Sequence, residues 1–270
     1  MKKAFLLILA YLFIQVVCTV PFMVYASYAG NGQMTSTLII ASSALSNIIA
    51  ILVFGFMKWH PFSLEYLKTK PWTTLYWTFL ITIGMLLPST FLEGLIPESL
   101  TEDIVGMNEL LGSAWAPLAI CIMAPIAEEV VCRGAIQNAL IAYFSDRTRA
   151  NNRFLANPVR RRWAPLVVTA LIFSAIHGNP AQLPHAFLIG LLLSWLAYRT
   201  GSIVPGILLH AINNSLAFVL YHLYPESVDM QLIEFFGNSW LRLGGAVALS
   251  LLIFIPALYQ LNKHLTNINR

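Results

Sequence analysis

The sequence predicts an all-α membrane protein of about eight transmembrane helices with both termini cytoplasmic. Three observations carry that prediction. First, 58% of the 270 residues are hydrophobic and only 10% are charged, against roughly 45–50% and about 25% in soluble domains. A water-soluble fold of this size keeps most of its residues in touch with solvent and cannot hide so much apolar surface. Second, the apolar residues gather into stretches that reach, or nearly reach, across a bilayer core of about 30 Å at 1.5 Å per helical residue. Third, the basic residues segregate to alternate connections. A soluble enzyme, a disordered chain, a disulfide scaffold and a nucleic-acid binder are excluded together.

The stretches run about 4–26, 37–57, 72–96, 114–143, 163–178, 181–199, 202–223 and 240–261. The first follows Met1-Lys2-Lys3 in the manner of a secretory signal. It is longer than the roughly 7–15-residue core of a cleaved signal and reads as a retained span. With the N-terminus inside, every Lys and Arg except Arg133 and Arg242 falls on the inner side. The outer loops then carry Glu93, Glu98, Glu102, Asp103, Glu109, Glu226, Asp229 and Glu234. A wrong number of spans would scramble that alternation. The fifth and sixth stretches are short and share the breaker-rich link His177-Gly178-Asn179-Pro180-Ala181-Gln182-Leu183-Pro184, where proline and glycine end or kink helices.

The connections add two surface features. Residues 60–70 place Phe62, Leu64, Tyr66 and Leu67 against Glu65, Lys68 and Lys70, the pattern of an amphipathic segment lying on the cytoplasmic face. The basic loop from Asp146 to Arg162 faces anionic headgroups. No repeat or linker divides the chain, so the expectation is one transmembrane domain over 1–270, with a core at 114–223 and peripheral helices in 1–113 and 240–270. Cys18, Cys121 and Cys132 all sit in apolar runs without paired spacing, which reads as small buried hydrophobes.

Few ionisable groups remain inside the spans. Each charge at bilayer depth costs at least about 2.5–3.5 kcal/mol on insertion scales, so such residues usually face a cavity and act there. The fourth stretch holds Glu128, Glu129 and Arg133, the fifth ends at His177, and the seventh carries His210 and Asn214. Glu129 and Arg133 are four apart, acid first, the favourable order for a pair on one helix face. Glu128 lies about 100° around the helix and has no such cation near it in sequence. Of two adjacent acids, the one without the arginine suits a general base. His210 and Asn214 also share a face, and both can donate hydrogen bonds toward one point. All three groups fall at comparable depth, toward the cytoplasmic half. His60, His185, His222 and His264 lie nearer the two surfaces and stay outside this site. Taken singly, each group has a structural reading as an ion pair, a helix-end cap or interhelical glue. Their joint occurrence favours a site.

Several intramembrane protease signatures are missing: there is no His-Glu-x-x-His, no Gly-x-Ser-x-Gly and no Gly-Asp or Tyr-Asp pair. Ser174, three residues before His177, reads as a serine bonded to its own helix backbone. The motifs that are present are Glu128-Glu129-Val130-Val131-Cys132-Arg133, Phe173-Ser174-Ala175-Ile176-His177 and His210-Ala211-Ile212-Asn213-Asn214, with Thr200-Gly201-Ser202-Ile203-Val204-Pro205 before the last. In this order and on separate spans they resemble the CPBP intramembrane proteases. That family includes the type II CAAX prenyl endopeptidases and bacteriocin-processing and self-immunity proteins. The resemblance covers roughly residues 115–225.

The resemblance implies a glutamate-dependent endopeptidase acting on membrane proteins or lipidated peptides within the bilayer. Glu128 would activate a water that His177 helps orient, His210 and Asn214 would hold the oxyanion, and Glu129, Arg133 and Phe173 would support them. No cofactor is required by that scheme. A zinc version, with Glu128, His177 and His210 as ligands, stays open. So do a proton-coupled transporter and a partner-binding immunity scaffold that does not cut. No organelle signal is evident, which points to a prokaryotic inner membrane.

Overall fold

Proline, glycine and asparagine punctuate the apolar stretches, and the chain is helical between them. The computed structural model describes residues 1–29, 32–59, 71–95, 110–146, 156–178, 180–228 and 230–268, and among these there is no strand. The simple helices are α1 (Lys2–Ala29), α2 (Ser36–Phe56) and α3 (Pro71–Glu93). A composite helix, α4, covers 117–145. After it come α5 (Pro158–Ile176), α6 (Leu183–Thr200), α7 (Val204–Leu223) and α8 (Trp240–Ile268). The amphipathic segment expected over 60–70, and residues 147–155 of the basic loop, lie outside the described residues.

Two elements differ from the sequence reading. The stretch expected as one regular helix over 114–143 is wound as π-helix Pro117–Met123, α-helix Ala124–Glu129, π-helix Val130–Gln137 and α-helix Asn138–Ser145. Pro125 has no N–H to give, and the ladder just before it is already offset: the Ala124 N–H bonds Ala119 O, five residues back. Further on, Asn138 Nδ2 donates to Gly134 O at 2.7 Å, covering a carbonyl of the second π segment. The other difference is the start of α5. Asn157 Oδ1 accepts from the N–H groups of Val159 and Arg160 at 2.9 and 3.2 Å, and Pro158 follows as the first helical residue. This cap begins the helix five residues before the expected position 163. Arg160, Arg161 and Arg162 therefore stand on the first turns of α5 rather than in a loop.

The chain forms two compact units, each discontinuous in sequence: Met1–Phe62 with Val105–Thr169, and Ser63–Ile104 with Ala170–Arg270. In the first, α1 packs on α2 and on the second π segment of α4. Ser46 Oγ donates to Gln15 Oε1 at 2.9 Å, joining α1 to α2 within a seam that also buries Ala50 and Phe54. In the second, α3 runs along α8. Gly84 permits the approach, because a Cβ there would come within 2.5 Å of the Phe254 backbone nitrogen, and Ser250 Oγ donates to Gly84 O at 3.1 Å. Thr78, Thr82 and Ser89 bond back to the carbonyl four residues earlier, which satisfies hydroxyls where water is absent. Arg199, on the last turn of α6, reaches α8 through Asn262 Oδ1 at 2.7 Å and Thr266 Oγ1 at 2.9 Å.

Both units leave large apolar side chains on their outer faces. On α1 these include Phe5, Phe13 and Val16, and on α8 they include Leu249, Leu252 and Ile255. Patches of that extent are tolerated by acyl chains, not by water. By length and composition, α1, α2, α3, α7 and α8 can each cross a bilayer. The three helices outside that group are the polar or interrupted ones: α4 is broken into short pieces, α5 opens with three arginines, and α6 contains Pro184, His185 and Arg199. All-helical among the described residues, this is an integral membrane protein.

Candidate active site

The first unit supplies the acids. The Glu129–Arg133 pair spans one turn of α4, with Arg133 Nη1 donating to Glu129 Oε1 at 2.7 Å and neither side chain exposed. A carboxylate and a guanidinium buried together avoid most of the cost that either would meet alone. Gln137, four residues on, is also buried, so acid, cation and amide follow one another along this face. Glu128 is the acid of the doublet outside that ion pair, and it is half-buried. Its surroundings include a residue that the sequence did not single out. Tyr11 of α1 is 4% exposed, hydrogen-bonds the Gln15 side chain and lies within electrostatic range of Glu128 and Cys132. The Tyr11–Gln15–Ser46 chain brings α1 and α2 to the acid-bearing part of α4. Alternation of Tyr, Gln and Ser in long apolar runs gives no warning of it. Cys18, Cys121 and Cys132 are buried free thiols.

The second unit supplies the imidazoles. Phe173, on the last turns of α5, is buried and meets both rings edge-on, with centroids 4.7 Å from His177 and 5.5 Å from His210. The spacing Phe-x-x-x-His has a second use, because His177 Nδ1 bonds the Phe173 carbonyl at 2.8 Å. A carbonyl only accepts, so Nδ1 carries the proton of that bond and Nε2 is the ring atom left for other work. The helix ends here for a local reason. The His177 N–H bonds Ser174 O at 3.1 Å, the Gly178 N–H bonds Ala175 O at 3.2 Å, and Gly178 has φ +70°, a left-handed stop that glycine adopts without strain. Ser174 does not bond its own helix: its Oγ donates to Leu183 O at 2.8 Å, so it fastens the far side of the link to α5.

Opposite stands α7, where His210 and Asn214 share a face and Asn213 Nδ2 donates to Asn214 Oδ1 at 3.4 Å. Gly190 of α6 lets Phe173 in, since a Cβ there would lie 3.0 Å from the Phe173 ring. Between these helices and α3 is a cavity of about 590 Å³. His177, His210, Asn213 and Asn214 line it, with Leu86, Leu216 and Leu220 among the apolar residues. His185 lines it too. The sequence reading set His185 aside with His60, His222 and His264. The 3₁₀ turn Pro180–Gln182 and the Ser174–Leu183 bond instead return the chain, so that the first turn of α6 faces the same space. Within either unit, among the described residues, no three His, Cys, Asp or Glu side chains gather closely enough to hold a metal ion.

The acid doublet lies in one unit and the Phe-positioned imidazole pair in the other. No curated protein and no solved structure matches the chain. Residues 110–216 match the family model described as Type II CAAX prenyl endopeptidase Rce1-like, a range that contains all three motifs and the cavity's imidazoles. Over that range the chain is similar to the Rce1-like type II CAAX prenyl endopeptidases.

Proposed function

We propose that the protein is an intramembrane endopeptidase that cleaves membrane-associated or lipidated substrates with a water activated by Glu128. Glu128 takes a proton from the water, and the resulting hydroxide attacks the peptide carbonyl without a covalent enzyme intermediate. His177 Nε2 orients that water, its other nitrogen being held by Phe173 O. His210 and the Asn214 amide donate to the oxyanion, and Glu128 returns its proton to the leaving amine. Donors placed in advance of the charge they meet are commonly the largest single contribution to such a step. Glu129 and Arg133 hold α4 and keep the second carboxylate occupied.

The observation that carries this reading is the matched range 110–216, which holds the acid doublet with its buried Glu129–Arg133 pair and the imidazoles of His177 and His210. The scheme needs no metal. Zinc on Glu128, His177 and His210 is the competing version, and metal analysis with a chelator test separates the two, because stoichiometric zinc required for cleavage supports only the latter. We further propose that all eight helices cross the membrane with both termini cytoplasmic, in a prokaryotic inner membrane. The charge map supports this, and cysteine accessibility from either side tests it. The deciding experiment compares membranes carrying the wild type and Glu128→Gln by N-terminal proteomics. The expected result is a set of new N-termini present only with the wild type. Identical sets overturn the proposal.

A further inference from the structure

The cavity is set toward one end of the helices that enclose it. Residues 201–203 join α6 to α7, and Arg199 beside that turn bonds Asn262 near the end of α8, which marks one end of the second unit. The cavity lies away from it. On α7 the lining starts at His210, in the second turn, and runs to Leu223, the last residue, about 20 Å at 1.5 Å per residue. α6 contributes its first two turns, through His185, Ala186 and Ile189, and α3 its last turns, through Leu86, Leu87 and Thr90. The connection between α7 and α8 adds Leu232.

Burial changes along the same axis. His210 is 4% exposed and Phe173 2%, whereas Val219 is 49% exposed and Leu223 68%. Between His210 and the 201–203 turn the helices are packed shut, with Leu196 and Leu209 fully buried. Among the described residues, the polar floor around His210 is therefore reached through the far end. The wall met on the way is Leu216, Leu220, Leu223 and Leu232. Such a wall takes apolar side chains without stranding a polar group.

We propose that the cavity takes its substrate from the face opposite the chain's C-terminus, and that what enters is an apolar stretch of polypeptide. With both termini cytoplasmic, as the charge map has it, that face is the outer one, and the substrates are exported proteins or proteins anchored in the outer leaflet. The inference rests on the protease reading for what enters but concerns the side of entry, so the two can fail separately. The test is labelling of Ala217→Cys in the full-length chain by a membrane-impermeant maleimide, in sealed vesicles of either orientation. Ala217 lines the cavity, and Lys263→Cys, near the end of α8, marks the C-terminal face. The parent chain, whose three thiols are buried, is the blank. Leu220→Cys, further out on the same wall, serves where thermal unfolding shows that Ala217→Cys is not folded.

Labelling only from the face opposite Lys263→Cys is expected, with cleavage lost once the cavity carries the maleimide adduct. Labelling from the face of Lys263→Cys, labelling from neither face, or cleavage that survives the adduct overturns the inference. Proteomics supplies a second reading, because the new N-termini made by the wild type should fall in segments on the outer side. Cleavage confined to cytoplasmic segments leaves the protease reading standing and removes this one. A cavity open on the far face in a chain that cuts nothing does the reverse.

Discussion

The two units bury polarity in opposite ways. In the first, full charges are cancelled within a single turn of α4, by a guanidinium four residues from its carboxylate and with neither side chain exposed. In the second, imidazoles and amides from α5, α6 and α7 line an open cavity of about 590 Å³ and are braced by one aromatic ring. The difference teaches what each can tolerate. A buried ion pair is an all-or-none device, since removing one partner strands the other charge. A cavity lined by hydrogen-bonding groups can lose one and keep its shape.

Four substitutions break or sharpen that contrast. The largest effect is expected from Glu128→Gln, which leaves the Glu129–Arg133 pair in place. Cleavage in proteoliposomes should fall by about 10²–10⁴-fold, the usual worth of a general base, with the helical circular dichroism unchanged. Retained activity would show that the first unit serves only as a frame. Next comes Arg133→Met, which leaves Glu129 buried without its cation and should destabilise the fold by about 3–5 kcal/mol. Thermal unfolding in detergent checks this, and an unchanged melting temperature would mean that the pair is not closed off from water in the membrane.

Asn214→Ala belongs to the second unit and should behave in the opposite manner. A loss of about 10²–10³-fold in kcat, with KM and melting temperature close to wild type, is expected for a missing oxyanion donor. A fall in stability instead would make Asn214 interhelical glue. The smallest effect is expected from Gly190→Ala. Its new methyl group meets the Phe173 ring at 3.0 Å and the Ala170 Cα at 3.2 Å, so the ring must shift by a few tenths of an ångström. Overpacking of this kind costs about 1–3 kcal/mol, and activity should fall further than stability because Phe173 positions both imidazoles.

Much of this was legible in the chain before any coordinates. Hydropathy alone marks the five helices that are long and apolar enough to cross among the described residues, because a bilayer imposes a length and leaves no alternative for backbone hydrogen bonds. The order of Glu128-Glu129-x-x-x-Arg133, Phe173-x-x-x-His177 and His210-x-x-x-Asn214 carries the resemblance to the family model that residues 110–216 match. The i, i+4 spacing also says which acid takes the arginine, since helix geometry is local. The π-winding of α4 was not legible, because a one-residue offset in the ladder over seven or eight residues leaves no signature in hydrophobicity. The early start of α5 could have been read from Asn157-Pro158, a cap followed by a first-turn proline, but the three arginines after it look like a loop.

What only the tertiary structure decided is the membership of the cavity. His185 is separated from His177 by a glycine- and proline-rich link and was assigned to the outer side on sequence distance. The 3₁₀ turn and the Ser174–Leu183 bond fold that distance back, so that it lines the same cavity as residues 8 and 25 positions away. Composition and spacing determine which segments enter the membrane and which side chains share a helix face, because both depend on neighbours a turn apart. Which faces enclose the same space depends on how helices close upon one another, through contacts such as Gly190 against Phe173 that no single segment encodes.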